Sequence, residues 1–437
     1  QRMDLLDNEQ KRINLRYLGK FAWGGLEARA YHERVEHRMD FGPDKRFWYG
    51  TGSGGPAAPA GSPCAPLGMN CAAGMPMYTS SRNTGVTVKA DVDLNERNLL
   101  RVGAEVQHYT LDDWWPPSGG MMWPGTFDNI NDGERNRKAV FVEWEARPGA
   151  LWTTLAGVRY ERVESDAGPV NAYNNALAPA TTLQPQFNAR NRERRDNNWD
   201  ATLLARHTPK PTFGLEFGLA RKVRSPSLYE RYTWFSRGME MLMINWVGDG
   251  NGYIGNLRLD PEKAHTLSAT FDWHADDRRW ELKLTPYYTR VSDYIDAARC
   301  PIGLGGACTA ANRTASGRFV YLQLANQSAR LYGLDVSGRM PLASTGIGEF
   351  GLTGLVGYTN GRNRDTGDDL YNIMPLNAKL ALTHKLGGWD NAIEVIAVKA
   401  KDDVSDVRNE IRTPGYGLVN LRAGYGVPWV RYVPTVV

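Results

Sequence analysis

Arg224-Ser225-Pro226-Ser227-Leu228-Tyr229-Glu230-Arg231-Tyr232 and, farther on, Gly255-Asn256-Leu257-Arg258-Leu259-Asp260-Pro261-Glu262 frame the stretch on which the reading of this chain turns. The first block reads as the end of a strand that opens a long loop. The second reads as the close of that loop and the start of the next strand. Glycine and proline stand at both borders, where a backbone must turn or stop pairing. Working outward, strict alternation takes over. Residues 86–94 set Val86, Val88, Ala90, Val92 and Leu94 against Thr87, Lys89, Asp91 and Asp93. Residues 100–107, 279–285 and 333–340 repeat the pattern. Period two over such lengths gives one apolar and one polar face, the mark of strands and not of helices.

The connections alternate as well. Short turns fall at Trp23-Gly24-Gly25, Glu96-Arg97-Asn98, Pro148-Gly149, Pro209-Lys210-Pro211, Asp276-Asp277, Ser344-Thr345-Gly346 and Gly387-Gly388. Long polar stretches lie between them, near 41–80, 112–134, 166–195, 223–261, 298–316, 362–372 and 403–413. Short turns at one end and long loops at the other predict an all-β, antiparallel transmembrane β-barrel, with its turns periplasmic and its loops extracellular. A sandwich would need a second sheet to cover its apolar face. Fifteen strands are predicted, at 10–22, 26–40, 81–94, 99–111, 135–146, 151–165, 196–206, 212–222, 262–274, 278–297, 317–340, 348–361, 373–386, 391–402 and 414–425.

Composition agrees. The 437 residues are 42% hydrophobic, and 14 Trp and 20 Tyr supply the amphipathic rings that membrane interfaces collect. Mean hydropathy is −0.48, too polar for a helical membrane protein, and no apolar run reaches the ~18 residues of a spanning helix. A net charge of +4 gives no electrostatic case for a nucleic-acid partner. Gln1-Arg2-Met3-Asp4 has neither the charged start nor the apolar core of a signal peptide, and the chain reads as beginning within the fold. Four cysteines form two close pairs, Cys64/Cys71 and Cys300/Cys308, each inside a predicted loop. Two local disulfides in an oxidising compartment are the expectation, ahead of free thiols or a metal site.

The two opening blocks together resemble a signature of TonB-dependent outer-membrane receptors, an R-x-P-S-L-Y-E-R-Y block followed by G-N-x-x-L-x-P-E. The resemblance implies a bacterial outer-membrane location, a barrel of about 22 strands and no catalysis. Against that family, residues 1–437 are expected to cover the middle and later barrel only. The N-terminal plug, the TonB box, the first few strands and the closing strands are expected to lie outside the chain. The resemblance implies two partners: the TonB complex, reached through that N-terminal region, and outer-membrane lipid with lipopolysaccharide.

Strand 26–40 carries the candidate metal site. Leu26, Ala28 and Ala30 are apolar, while Glu27, Arg29, Tyr31 and Glu33 are mostly polar and so face the lumen. The same parity puts His37 and Met39 on the lumen side, near the extracellular end. Two residues apart on a strand, they point the same way, as two ligands of one ion must. Imidazole with a neutral thioether selects a soft metal, copper above all and Cu(I) in particular. A bulge between residues 31 and 37 would break this parity. The spacing alone is common and specifies nothing. Val35-Glu36-His37-Arg38-Met39-Asp40, however, resembles the barrel half of the metal site in copper receptors of the OprC and NosA type. There the other half is a C-x-x-x-M on the plug. Cys71-Ala72-Ala73-Gly74-Met75 has that spacing too, but it lies in a loop where Cys64 offers a disulfide partner.

Methionines gather in predicted loops: Met69, Met75 and Met77, then Met121 and Met122, then Met239, Met241 and Met243. They suit either a thioether-rich vestibule for Cu(I) or simple gap filling. Arg190, Arg192, Arg194 and Arg195 are read as a solvated loop or a contact to lipopolysaccharide phosphates. His207, His265, His274 and His384 are read as wall residues. No G-x-S-x-G, H-E-x-x-H or Walker pattern occurs. Copper import is therefore the leading function. The rivals are a receptor for a siderophore or other metal chelate and, from another class, an outer-membrane enzyme such as a protease or lipase with its site at the loop rim.

Overall fold

The computed structural model describes residues 4–40, 76–118, 122, 124–178, 180–235, 247–299, 309–317 and 319–426. Among these, sixteen strands form one sheet, fifteen of them along a single antiparallel path in chain order. They are β1 (Asp4–Phe21), β2 (Gly24–Asp40), β3 (Met77–Asn95), β4 (Asn98–Trp115), β5 (Phe127–Gly149), β6 (Trp152–Asp166), β7 (Arg194–Lys210) and β8 (Phe213–Arg224). After the short β9 (Gly252–Ile254) come β10 (Glu262–His274), β11 (Glu281–Arg299), β12 (Tyr321–Thr345), β13 (Gly348–Asn363), β14 (Asn377–Leu386), β15 (Trp389–Val398) and β16 (Tyr416–Tyr425). Strand β9 stands off the path and pairs parallel with the start of β12. Among the described residues, β1 and β16 each pair on one side only.

The cross-strand registers show why the period-two pattern is satisfied. Ala28, Val88, Ala104, Val140, Tyr160 and Trp199 lie opposite one another in one row across β2 to β7. Val88, Val140 and Trp199 are exposed. One residue along, Arg29, Thr87, Glu105, Ala139, Glu161 and Asn198 make the matching row on the other face. There Ala139, Glu161 and Asn198 are buried. The apolar face thus looks outward, where lipid and not water is its solvent, and the polar face looks into the lumen. Ion pairs tie the lumen wall together: Arg101 to Glu143 and Glu145 at 2.6 and 2.7 Å, and Arg159 to Glu105 at 2.9 Å.

Aromatic rings cluster at the short-turn end. Phe21 stacks on Trp23, Trp152 on His207, and Phe213 packs on Trp273, at centroid distances of 5.1, 4.2 and 5.5 Å. Phe350 with His384 and Trp389 with Tyr425 continue the belt. Rings with one apolar body and one polar edge belong at such an interface. His207 and His384 are therefore belt members, in keeping with the wall role read from their position.

The fifteen expected strands match the antiparallel path one to one. Boundaries differ, however: β14, β15 and β16 are shorter than expected, and several others are longer. Strand β4 reaches Trp115 and β5 begins at Phe127, so both enter the stretch read as loop 112–134. Crossing the hydrocarbon takes only about 9–11 residues. Beyond it the outward face is wet while Leu111, Asp113, Trp115, Phe127 and Asn129 are buried under the loops, so the apolar-out alternation ends while the hydrogen-bond ladder continues. Strand β9 and the helices α1 (Ala180–Asn188), α2 (Leu228–Tyr232) and α3 (Ala310–Thr314), all in long loops, were not anticipated.

Candidate functional site

Strand β2 pairs with β3 from Gly24↔Val92 to Met39↔Met77 without a register shift. The bulge that would have broken the parity argument is thus absent between residues 31 and 37. The β1–β2 ladder shifts only between Leu5 and Asp7, opposite Met39 and Arg38, and the extra residue, Leu6, belongs to β1, so the parity along β2 is kept. His37 and Met39 consequently share the lumen face with Glu27, Arg29 and Glu33, and both side chains are half-buried. His37 stands opposite Thr79, and Thr79 opposite Asp113 on β4. Met39 stands opposite Met77. Met77, expected in a loop, is the first residue of β3 and packs against the apolar core of the long loops. Met122 is buried in that same core, while Cys64, Cys71, Cys300, Cys308, Met69, Met75, Met121, Met239, Met241 and Met243 fall outside the described residues.

A cavity of about 710 Å³ borders this end of β2. It touches His37 and Thr79, but most of its lining comes from the opposite parity, including Arg34, Glu36, Arg38, Ser80 and Asp112. That lining is charged with both signs and suits water or polar groups, not a soft ion.

Asp113 is buried, and desolvation pushes its carboxyl up to about 6. It lies two residues before the end of β4, above the part of the strand that crosses the membrane. Asn129 donates Nδ2–H to its Oδ2 at 2.7 Å, and the Tyr229 hydroxyl also bonds it. Asp113 Oδ1 and Asn129 Oδ1 are both buried without a partner. A proton on Asp113 turns one of these two acceptors into a donor, which is the polarity the pair lacks. Burial and the Asp113 charge push the Tyr229 phenol well above its ordinary range.

Tyr229 reaches this place because the opening sequence block folds into a clasp. Ser227 caps α2, with a reciprocal capping box to Glu230. Arg224 pairs with Glu230 at 2.8 Å and with Glu262 at 2.6 Å, so the two sequence blocks are joined directly. Arg231 is 1% exposed. It donates to Asp196 at 2.8 and 3.0 Å, to Ser165 at 2.9 Å and to the Leu259 carbonyl at 3.1 Å. Tyr232 bonds Ser165 and the Arg192 carbonyl, and burial pushes its phenol up to about 12. Gly255 donates its N–H to the Thr233 carbonyl at 2.8 Å, and Asn256 to that of Glu230 at 2.9 Å. A Cβ at Gly255 would sit 2.9 Å from the Arg231 and Thr233 backbone, so only glycine fits.

A second buried network joins the remaining loops. Arg408 lies between the Tyr253 and Tyr371 rings, 5.3 and 5.0 Å from their centroids, and donates to Asp296 at 2.9 Å. Tyr253 also bonds Asp249. Asp113, Asn129 and Arg408 were missed in the sequence, since nothing in a polar loop marks which charge is buried. The one available signal for Asp113 was its odd parity, shared with the lumen residues Glu105 and Gln107. Of the arginines at 190–195, Arg192 and Arg194 are held by backbone carbonyls, Arg194 by that of Leu257, and Arg195 pairs with Glu164. They brace the loop.

Residues 2–436 match the family described as TonB dependent receptor-like, beta-barrel. The chain is 26% identical over 277 residues to the ferric enterobactin receptor PirA of Pseudomonas aeruginosa, covering 62% of this chain and 32% of that protein. Its fold is similar to that of the copper transporter OprC, with a TM-score of 0.68, 17% identity, and coverage of 98% of this chain and 58% of that one. A ferric enterobactin receptor, PfeA, is similar at a TM-score of 0.64 and 14% identity, over 97% of this chain and 55% of that one. At such identities the structural likeness speaks for the fold alone. The chain spans little more than half of those structures, and its match spans about a third of PirA. These relatives are named as receptors and transporters, not enzymes. With its family match running nearly end to end, the chain belongs to the TonB-dependent receptor-like β-barrels of the bacterial outer membrane.

Proposed function

We propose that the chain forms the greater part of the wall of an outer-membrane receptor that imports copper ions. The observation that carries this reading is the pairing of His37 and Met39 on one lumen face, at the long-loop end of an unbroken ladder. An imidazole and a thioether, neutral and soft, suit Cu(I) better than a hard cation. The resemblance of Val35–Asp40 to the wall half of a copper site supports it further. The remaining ligands, the energy coupling through the TonB complex and the strands that close the wall come from other parts of the receptor. Lipid and lipopolysaccharide meet the outward face.

A second reading, a receptor for a ferric siderophore or other metal chelate, is favoured by the similarity to a ferric enterobactin receptor. Titration calorimetry of the whole receptor separates the two. Copper import predicts saturable binding of Cu(I) and none of a ferric catecholate. Binding of the catecholate without Cu(I) would reject it in favour of the chelate.

A further inference from the structure

We propose that Met77 is a third soft donor of the wall site, so that the wall alone offers one imidazole and two thioethers to a soft monovalent cation. The proposal rests on the copper reading above and deepens it. Directly opposed residues of an antiparallel pair have Cβ atoms about 4.5–5.5 Å apart, and diagonal neighbours about 7–8 Å. Met39 and Met77 are directly opposed, and Met77 is diagonal to His37, which faces Thr79. Three side chains on one face of two strands thus converge on a single patch. Both methionines have three rotatable bonds, enough to bring their sulfurs to one ion.

The surroundings of Met77 favour this role over gap filling. It packs against the loop core yet is only half-buried, so the residue is anchored without being sealed off. In the adjoining row, Thr79, opposite His37, is an oxygen donor, and Asp113 beyond it is an acid already engaged by Asn129 and Tyr229. The two thioethers thus oppose each other directly, with the imidazole one row away. All three are neutral, which suits a singly charged soft ion and gives a hard divalent cation nothing to bind.

The experiment uses the whole purified receptor, loaded anaerobically with Cu(I) and, separately, with Ag(I). Met77→Leu keeps the packing volume and removes only the sulfur. X-ray absorption at the copper edge should show one sulfur fewer per ion than in the parent receptor. Affinity should fall about 10–100-fold, in the range that lost ligand support costs metal sites. Met340→Leu, far from β2 and exposed, controls for loss of any methionine and should change neither readout. An unchanged sulfur count and affinity in Met77→Leu, with binding lost in His37→Ala/Met39→Ala, would overturn this inference while leaving the copper reading intact. A parent receptor that binds neither ion would overturn both.

Discussion

Arg231, in the loop helix, grips both carboxylate oxygens of Asp196 on β7, at 2.8 and 3.0 Å, with the arginine 1% exposed. A charge pair so deep is held by geometry and extra hydrogen bonds, and here Ser165 and the Leu259 carbonyl supply them. Removing one partner strands the other, at a cost of about 3–5 kcal/mol. Because the strand ladder is independent of the clasp, the loss should appear as local opening. Arg231→Met should therefore expose residues 225–235 and 247–261 to protease while the barrel keeps its heat-modifiable gel mobility. Arg231→Met/Asp196→Leu, which leaves no buried lone charge, should be cut more slowly than the single variant. Equal resistance of the parent and Arg231→Met would contradict the role given to this pair.

Gly255→Ala tests the same clasp from the backbone side. The new methyl meets the Arg231 and Thr233 main chain at 2.9 Å, which no rotamer change can relieve. Overpacking of this kind costs about 1–3 kcal/mol. Hydrogen exchange at Gly255 and Asn256, whose N–H groups bond across the clasp, should accelerate about tenfold or more. Exchange unchanged from the parent would count against the close approach.

Asp113 should make the seating of α2 depend on pH. Its carboxyl is raised from 3.8 to about 6 by burial. The folded form therefore binds its proton more tightly than the opened form. The favourable contribution is fully present below about pH 4 and is lost as pH rises through about 6, with a ceiling of about 3 kcal/mol. Exchange of amides in residues 228–233 should be slower at pH 4.5 than at pH 7, after correction for intrinsic rates. Asp113→Asn, which cannot ionise, should flatten that difference. A parent with no pH dependence beyond the intrinsic rate would refute the assignment.

The outward row predicts its own sensitivity. Val142 lies opposite Val102 and Val158, exposed on the lipid-facing side. Val142→Arg should destabilise the folded barrel by about 2–4 kcal/mol, the depth-dependent cost of a cation near the bilayer midplane. Glu143, one residue on, faces the lumen and pairs with Arg101. Glu143→Gln should cost much less. Urea titration of bilayer-inserted receptor, read by gel mobility, compares the two. Equal costs would mean that the faces are assigned wrongly.

The strand path was legible because alternation such as Val86–Leu94 records which solvent each face meets. His37 and Met39 were legible for the same reason, since parity carries along an unbroken ladder. Where the outward face meets water and the lumen face is packed under the loops, as at Asp112–Trp115, the apolar-out pattern ends, and the strands run past their expected ends. Met77 was read as a loop residue for that cause. Asp113, Asn129 and Arg408 were not legible, because their burial is created by loops that meet only after folding. The clasp was visible as two motifs, but not that Arg224 would join them through Glu230 and Glu262.

Copper content of the whole receptor after Cu(I) loading, by mass spectrometry, tests the central claim most directly. His37→Ala/Met39→Ala should lose bound copper while keeping its heat-modifiable mobility, because both residues line the lumen wall and neither belongs to a packed apolar core. Arg38→Ala, on the opposite face of β2, should bind as the parent does. Parent-level copper in His37→Ala/Met39→Ala, with loss instead in Met75→Ala or Met241→Ala, would move the site to the methionine-rich loops and contradict the account.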